Sequence, residues 1–176
     1  MKAASALLAL PAALLALACA PAHAAAPEPT MCKPGEQEIF SCTTKAKKTA
    51  SLCASPDFSA KGGTLQYRFG TPARTELQYP DTPQPAAGKF FFSSTMYSGG
   101  GEAHIRFSNG GYDYILFDRT VRTNFKGPTN DPQFSSGIVV RGPKGSKPST
   151  RSCADDASIR SAAYEALPTE DFDDLD

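Results

Sequence analysis

The 176-residue chain reads as a mainly β protein. The expected architecture is an antiparallel barrel or sandwich of about seven to nine short strands, with one C-terminal helix and disulfide staples. Three observations predict it. Short runs of β-branched and aromatic residues recur between stretches of turn chemistry. Asn109-Gly110-Gly111 separates two of those runs, and Asn-Gly suits the tight turn whose twist matches a hairpin. Four cysteines, Cys32, Cys42, Cys53 and Cys153, follow an export signal. An even number in that setting is the signature of disulfides rather than of metal or redox chemistry.

The signal comes first. Lys2 carries one positive charge, an apolar run over 3–18 follows with Pro11 inside it, and Ala22-His23-Ala24 has the small-x-small pattern of a cleavage site. That run is short for a membrane span, which takes about 20 apolar residues. Residues 1–24 are therefore expected to be a signal peptide, with a soluble mature chain from about Ala25 in the periplasm or outside the cell. Lipidation at Cys19 is the alternative. Residues 25–31 are expected to be a flexible lead-in, 32–167 a single β-rich domain and 168–176 an acidic tail. No transmembrane segment is expected to remain after cleavage.

Strand patterns over 38–43 and 49–54 flank the polar Lys45-Ala46-Lys47-Lys48. Residues 64–69 set Leu65, Tyr67 and Phe69 against Gln66 and Arg68. A turn at 70–73 leads to a strand at 75–79. Pro80, Pro83 and Pro85 forbid a central strand and predict a surface connection over 80–88. Strands over 89–96 and 103–107 flank the flexible Ser98-Gly99-Gly100-Gly101. Residues 112–118 are largely apolar on both faces, which predicts a central or doubly covered strand. A loop over 126–136 precedes a strand at 137–141. The helix is expected over 156–167, capped by Asp155 or Asp156, with Ile159, Ala163 and Tyr164 at helical spacing and Pro168 as its stop.

Four cysteines allow three pairings. In a hairpin turning at 45–48, Cys42 and Cys53 are expected to stand about opposite each other, which leaves Cys32 with Cys153. The competing choice is Cys32–Cys42 with Cys53–Cys153.

Ile39-Phe40-Ser41-Cys42, Ser51-Leu52-Cys53-Ala54-Ser55, Leu65-Gln66-Tyr67-Arg68-Phe69-Gly70 and Glu76-Leu77-Gln78-Tyr79-Pro80 resemble a family of small exported proteobacterial proteins. The resemblance continues through Ser98-Gly99-Gly100-Gly101 and Ile105-Arg106-Phe107. It implies export and a single domain and hands over no activity. A looser likeness is to periplasmic lysozyme inhibitors, some of which present a Ser-Gly-x-x-Tyr loop to a hydrolase active site. Ser108-Asn109-Gly110-Gly111-Tyr112 keeps the Ser and the Tyr, with Asn109 in place of the first Gly. An ordinary Asn-Gly hairpin accounts for the same residues.

The chain beyond residue 24 is near neutral, which argues against nucleic acid as a partner. Its charge is uneven. From residue 154 onward there are eight acidic residues against the single Arg160, whereas 25–153 hold 16 basic and 10 acidic residues. Such a tail reads as a solvated, frayed terminus; the sharper reading has it fold onto the basic body or compete there with an anionic partner.

His104 is the one histidine outside the signal. Strand alternation groups it with Glu102 and Arg106, on what is expected to be the solvent side, so a surface histidine is expected rather than a catalytic base. Two-carboxylate hydrolysis would draw on Glu76, Glu102, Asp113 and Asp118. Glu102 and Asp113 are expected to approach across the 109–110 hairpin, with 102 opposite 116 and 104 opposite 114. Residues 171–176 lack the loop of an EF-hand, and no metal or cofactor is expected. Binding is the better expectation, through Tyr97, Ser98, Glu102, Ser108, Asn109 and Tyr112 around the two Gly-rich corners. The sequence thus predicts a non-enzymatic inhibitor or immunity protein whose partner is a toxin or a cell-wall hydrolase. Alternatives are a secreted hydrolase using carboxylates and a structural envelope protein.

Overall fold

In a computed structural model of the chain, the structure describes residues 29–154 and 156–175. The expected signal peptide, its cleavage site and Cys19 lie outside the described residues, as do 25–28 of the expected lead-in. Among the described residues nine strands form two antiparallel meanders. The first sheet holds β1 (Gln37–Thr43), β2 (Thr49–Ala54), β3 (Leu65–Thr71) and β4 (Arg74–Gln84) in that order. The second holds β5 (Phe90–Tyr97), β6 (Gly100–Asn109), β7 (Tyr112–Arg122), β8 (Pro132–Arg141) and β9 (Ser149–Ser152), again in order. One short helix follows, α1 (Ser161–Ala166).

The sheets do not close into a barrel; they pack as a sandwich. Along one side, β1 and β9 meet through a bridge between Thr44 and Cys153 and two backbone hydrogen bonds, Ala154 N–H to Thr43 and Lys45 N–H to Ser152. On the other side β4 and β5 are the edges of separate sheets. β4 contains Pro80 and Pro83, which have no N–H to offer a further strand. The expected surface connection over 80–88 is thus corrected: residues 80–84 belong to an edge strand, the place in a sheet that tolerates proline.

The core lies between the inner faces. Phe40, Leu52, Leu65, Tyr67 and Phe69 from the first sheet meet Phe90, Phe92, Ile105, Phe107, Leu116 and Ile138 from the second. β7 lies between β6 and β8, as its apolar faces predict.

Two expectations fail for the same reason, that tertiary partners outcompete local pattern. The helix spans only Ser161–Ala166, because Ile159 N–H donates to Asp118 (3.1 Å) and Arg160 N–H to the Ile39 carbonyl (2.9 Å), which holds this stretch extended. Asp156 precedes that stretch and is not the N-cap, and Asp155 lies outside the described residues; Arg160 is the N-cap, without a side-chain bond. β8 begins at Pro132, inside the expected 126–136 loop, because ten residues of it pair with β7.

The disulfides are Cys32–Cys53 and Cys42–Cys153, so both weighed pairings are corrected. In the β1–β2 hairpin Cys42 stands opposite Ala50, and Cys53 opposite Glu38. Moreover, Cys42 joins the inner core whereas Cys53 does not, so the two sulfurs point to opposite faces. Cys42 is left to lace β1 to the end of β9. Cys53 fastens the segment ahead of β1 to the outer face of the first sheet. There the Ser51 hydroxyl accepts from Met31 N–H (2.9 Å), and Ser41 donates to the Pro29 carbonyl (3.0 Å). Arg68, 3 % exposed, donates to both Glu36 oxygens at 2.6 and 2.7 Å.

That ion pair has a pH signature. The Arg68 hydrogen bonds hold the Glu36 carboxyl below its ordinary value near 4.5, against the opposing effect of burial. A carboxylate with a depressed folded pKa stabilises the fold above its unfolded pKa, and that contribution is lost as pH falls through the folded value. Urea unfolding between about pH 5 and pH 3 is expected to show a decline that Glu36→Gln makes shallower. An unchanged slope would remove Glu36 from the acid limb.

Candidate functional site

β6 carries three of the six expected binding residues, Glu102, Ser108 and Asn109, together with His104. Its pairing with β7 sets Glu102 opposite Arg119, His104 opposite Phe117 and Ser108 opposite Asp113. The expected register, 102 opposite 116, is therefore wrong by three residues, because the hairpin turns tightly at Gly110-Gly111 and both strands run long. Asp113 and Glu102 consequently lie six residues apart along the ladder, about 20 Å at 3.3 Å per residue. The remaining carboxylates are scattered too. Glu76 pairs with Lys48 at 2.6 Å on the other sheet, and Asp118 is held by Ile159 N–H, its carboxyl raised by burial.

Alternation does group Glu102, His104 and Arg106 on one face, the outer face of the five-stranded sheet. It is not a solvent face. Glu102 and His104 are each 3 % exposed. The expected surface histidine is buried because the chain beyond α1 crosses over it. Thr169 forms a parallel bridge with Phe92 at the β5 edge, where Glu170 N–H donates to the Phe92 carbonyl at 2.9 Å. Glu170 then ion-pairs with Arg106 of β6 at 2.5 Å. The Phe172 ring stacks on the His104 imidazole, with centroids 4.5 Å apart and planes 23° from parallel. Asp173 and the Asp174 carbonyl accept from Arg141 at the end of β8. Leu175 packs on Ile115, Phe117 and Val139. The described part of the acidic tail is thus a strap across β5 to β8, folded onto basic side chains rather than frayed.

Beneath the strap is a polar network. The Glu102 carboxylate takes the Tyr97 hydroxyl proton donor at 2.7 Å, contacts His104 Nε2 at 2.8 Å and faces Arg119 Nε at 3.6 Å. Desolvation first, then the bond to Glu102, pushes the Tyr97 hydroxyl up to about 12. Such groups survive burial only when they satisfy one another. Gly137 leaves the Phe117 ring its room: a Cβ there would come within 2.5 Å of the Arg151 carbonyl and 2.9 Å of that ring.

The six expected binding residues divide into two groups. Tyr97 and Glu102 are joined, and Ser98 is exposed in the turn beside them. Ser108, Asn109 and Tyr112 lie at the far end of β6, about 20 Å from Glu102 at 3.3 Å per residue. There Ser108 donates to Asp113 at 2.5 Å, and Tyr112 is 45 % exposed. They make no common site.

Sequence reasoning missed Arg141, Arg119, Phe172 and Leu175. The readable signal was an acidic run interrupted by Phe172 and Leu175, apolar residues that a purely solvated tail does not need. It also missed an open cleft of about 500 Å3 at the end of the sandwich, where Lys48 and Arg151 lie over Phe69 at 5.8 and 4.9 Å. Cys32, Glu36 and Cys53 approach one another closely enough for a metal, but the two sulfurs are bonded to each other.

The molecule is an antiparallel β-sandwich, laced by two disulfides, with a basic and aromatic outer face under an acidic strap. No protein-family model, curated protein or solved structure matches the chain. Two disulfides fit a secreted protein, and among the described residues no helix is long and apolar enough to cross a membrane.

Proposed function

We propose that the domain is an exported, periplasmic binding protein, an inhibitor or immunity protein that neutralises a toxin or a cell-wall hydrolase. The observation that carries this reading is the outer face of the second sheet. It grips an acidic, extended segment through Arg106, Arg141 and the stacked His104, which is the chemistry of peptide recognition rather than of bond cleavage. Groups that acid–base or thiol reactions would use are committed elsewhere: His104 lies under Phe172, and all four cysteines among the described residues are bridged. Disulfide lacing supports the same reading, since a rigid scaffold loses little entropy on docking.

One observation favours a secreted hydrolase instead. Ser93 stands opposite His104 on the same face, next to the Glu102–His104 pair. That arrangement has the residue types of a nucleophile, a base and its orienting carboxylate, though it would act only with the strap lifted.

Capture of a periplasmic extract on the mature domain separates the two. The binder reading expects a hydrolase or toxin retained at one-to-one stoichiometry and inhibited in the complex. Recovery of no such partner, together with a hydrolytic activity that Glu102→Gln abolishes, would contradict it.

A further inference from the structure

We propose that the outer face of β5–β8 is a docking surface for an extended segment of a separate protein, one in which acidic residues flank an aromatic and a leucine follows. The chain's own residues 169–175 occupy that surface as a resident competitor. This rests on the reading of the domain as a binder.

The strap defines what the face accepts. A carboxylate meets Arg106 on β6, an aromatic ring lies on His104, a second carboxylate reaches Arg141 on β8, and an aliphatic group covers Ile115, Phe117 and Val139. A segment with the same order of groups would make the same contacts. Beyond Glu170 the fastening ion pair, Arg141 with Asp173, sits open to water, with Arg141 26 % and Asp173 78 % exposed. Ion pairs that open to water hold weakly and are screened by salt, so the strap is replaceable.

What lies underneath is built to be covered. Glu102 and His104 form a buried pair on a face that would otherwise be open to water, with Tyr97 and Arg119 on the same carboxylate. Their mutual bonds hold the imidazole in position as a flat platform, whichever chain supplies the ring above it. Charge adds direction. The body is basic and the strap acidic, so an acidic partner segment is drawn toward the same face. A tethered strap competes at an effective concentration on the order of millimolar. Only a partner that adds contacts elsewhere, or a loosened strap, would displace it, which makes the strap a threshold against weak acidic ligands.

The probe is a fluorescent synthetic peptide of residues 168–176, titrated against the full mature chain and against the full chain carrying Phe172→Ala and Leu175→Ala. The loosened variant is expected to bind the peptide at least tenfold more tightly than the unaltered chain. That gain should vanish when Arg141→Ala is added, or when the peptide lacks the Phe172 ring. A folded variant that binds no better than the unaltered chain would overturn the proposal. So would a gain accompanied by dimerisation through exchanged tails, since the occupant would then be a second copy.

If the variant does not fold, native-state amide exchange on the unaltered chain decides. Amides of 170–175 are expected to exchange at least 100-fold faster than those of β6 and β7. Exchange of both sets together would show a strap that never opens by itself, and the proposal would fall. The two readings fail separately. Peptide binding without any captured toxin or hydrolase sinks the proposed function alone; capture unchanged by Phe172→Ala and Leu175→Ala sinks the docking surface alone.

Discussion

Replacing Cys42 and Cys153 together by alanine is expected to lower the unfolding free energy by about 5 kcal/mol. The bridge closes a span of 111 residues, and loop-closure entropy grows with the logarithm of that span. The same reasoning assigns about 3 kcal/mol to Cys32–Cys53, whose span is 21 residues. Topology sharpens the contrast. Cys42 is in β1 at one edge of the first sheet, and Cys153 follows β9 at one edge of the second. This bridge therefore joins the sheets, whereas Cys32–Cys53 pins a leading segment to one of them. For a domain of this size, 5 kcal/mol corresponds to a fall in Tm of roughly 10–20 °C. Thermal unfolding of the two double variants checks both the size and the order of the effects. An equal or reversed order would mean that the sheets are held together by packing alone.

Phe107→Ala is expected to cost about 3–5 kcal/mol. The ring is fully buried and is the hub of the aromatic core. It contacts Tyr67 at 4.8 Å, Tyr79 at 5.0 Å, Tyr114 at 4.9 Å and Phe90 at 5.5 Å between centroids. Tyr67 and Tyr79 come from the first sheet, so alanine here would open a cavity at the junction of both layers. Chemical denaturation followed by tyrosine near-UV circular dichroism measures the cost and the loss of ring order together. A loss under 1 kcal/mol would show that the neighbouring rings collapse into the space, and the hub would be misplaced.

Local pattern made most of the sandwich legible. The alternation of Leu65, Tyr67 and Phe69 and the doubly apolar β7 each specify pairing or burial within a few residues of chain and are found as read. The hairpin after β6 is found but turns at Gly110-Gly111, three residues out of the expected register. What local pattern does not carry is the covering of a face by distant chain. His104 and Glu102 alternate correctly with Ala103 and Ile105, yet their burial depends on Phe172, some seventy residues on. Arg68 is the matching case on the first sheet, a strand-face cation buried by Glu36 and Met31 from the leading segment. The cysteine pairing turned on which face each sulfur takes: Cys42 stands opposite Ala50, three residues from Cys53 on β2, and an odd step along a strand reverses the face. The shortened helix followed from amides claimed by Asp118 and Ile39, partners that no helical spacing reveals.

The strap on the outer face is the centre of the account, because both the binding surface and its partner chemistry are read from it. Its most direct test is the nuclear Overhauser spectrum of the mature domain in solution at moderate salt. Cross-peaks between the Phe172 ring and the His104 imidazole, and between the Leu175 methyls and Phe117, are the predicted result, with the imidazole protons shifted upfield by the ring above them. Random-coil shifts for 170–175, with no such cross-peaks and a solvent-exposed His104, would contradict it.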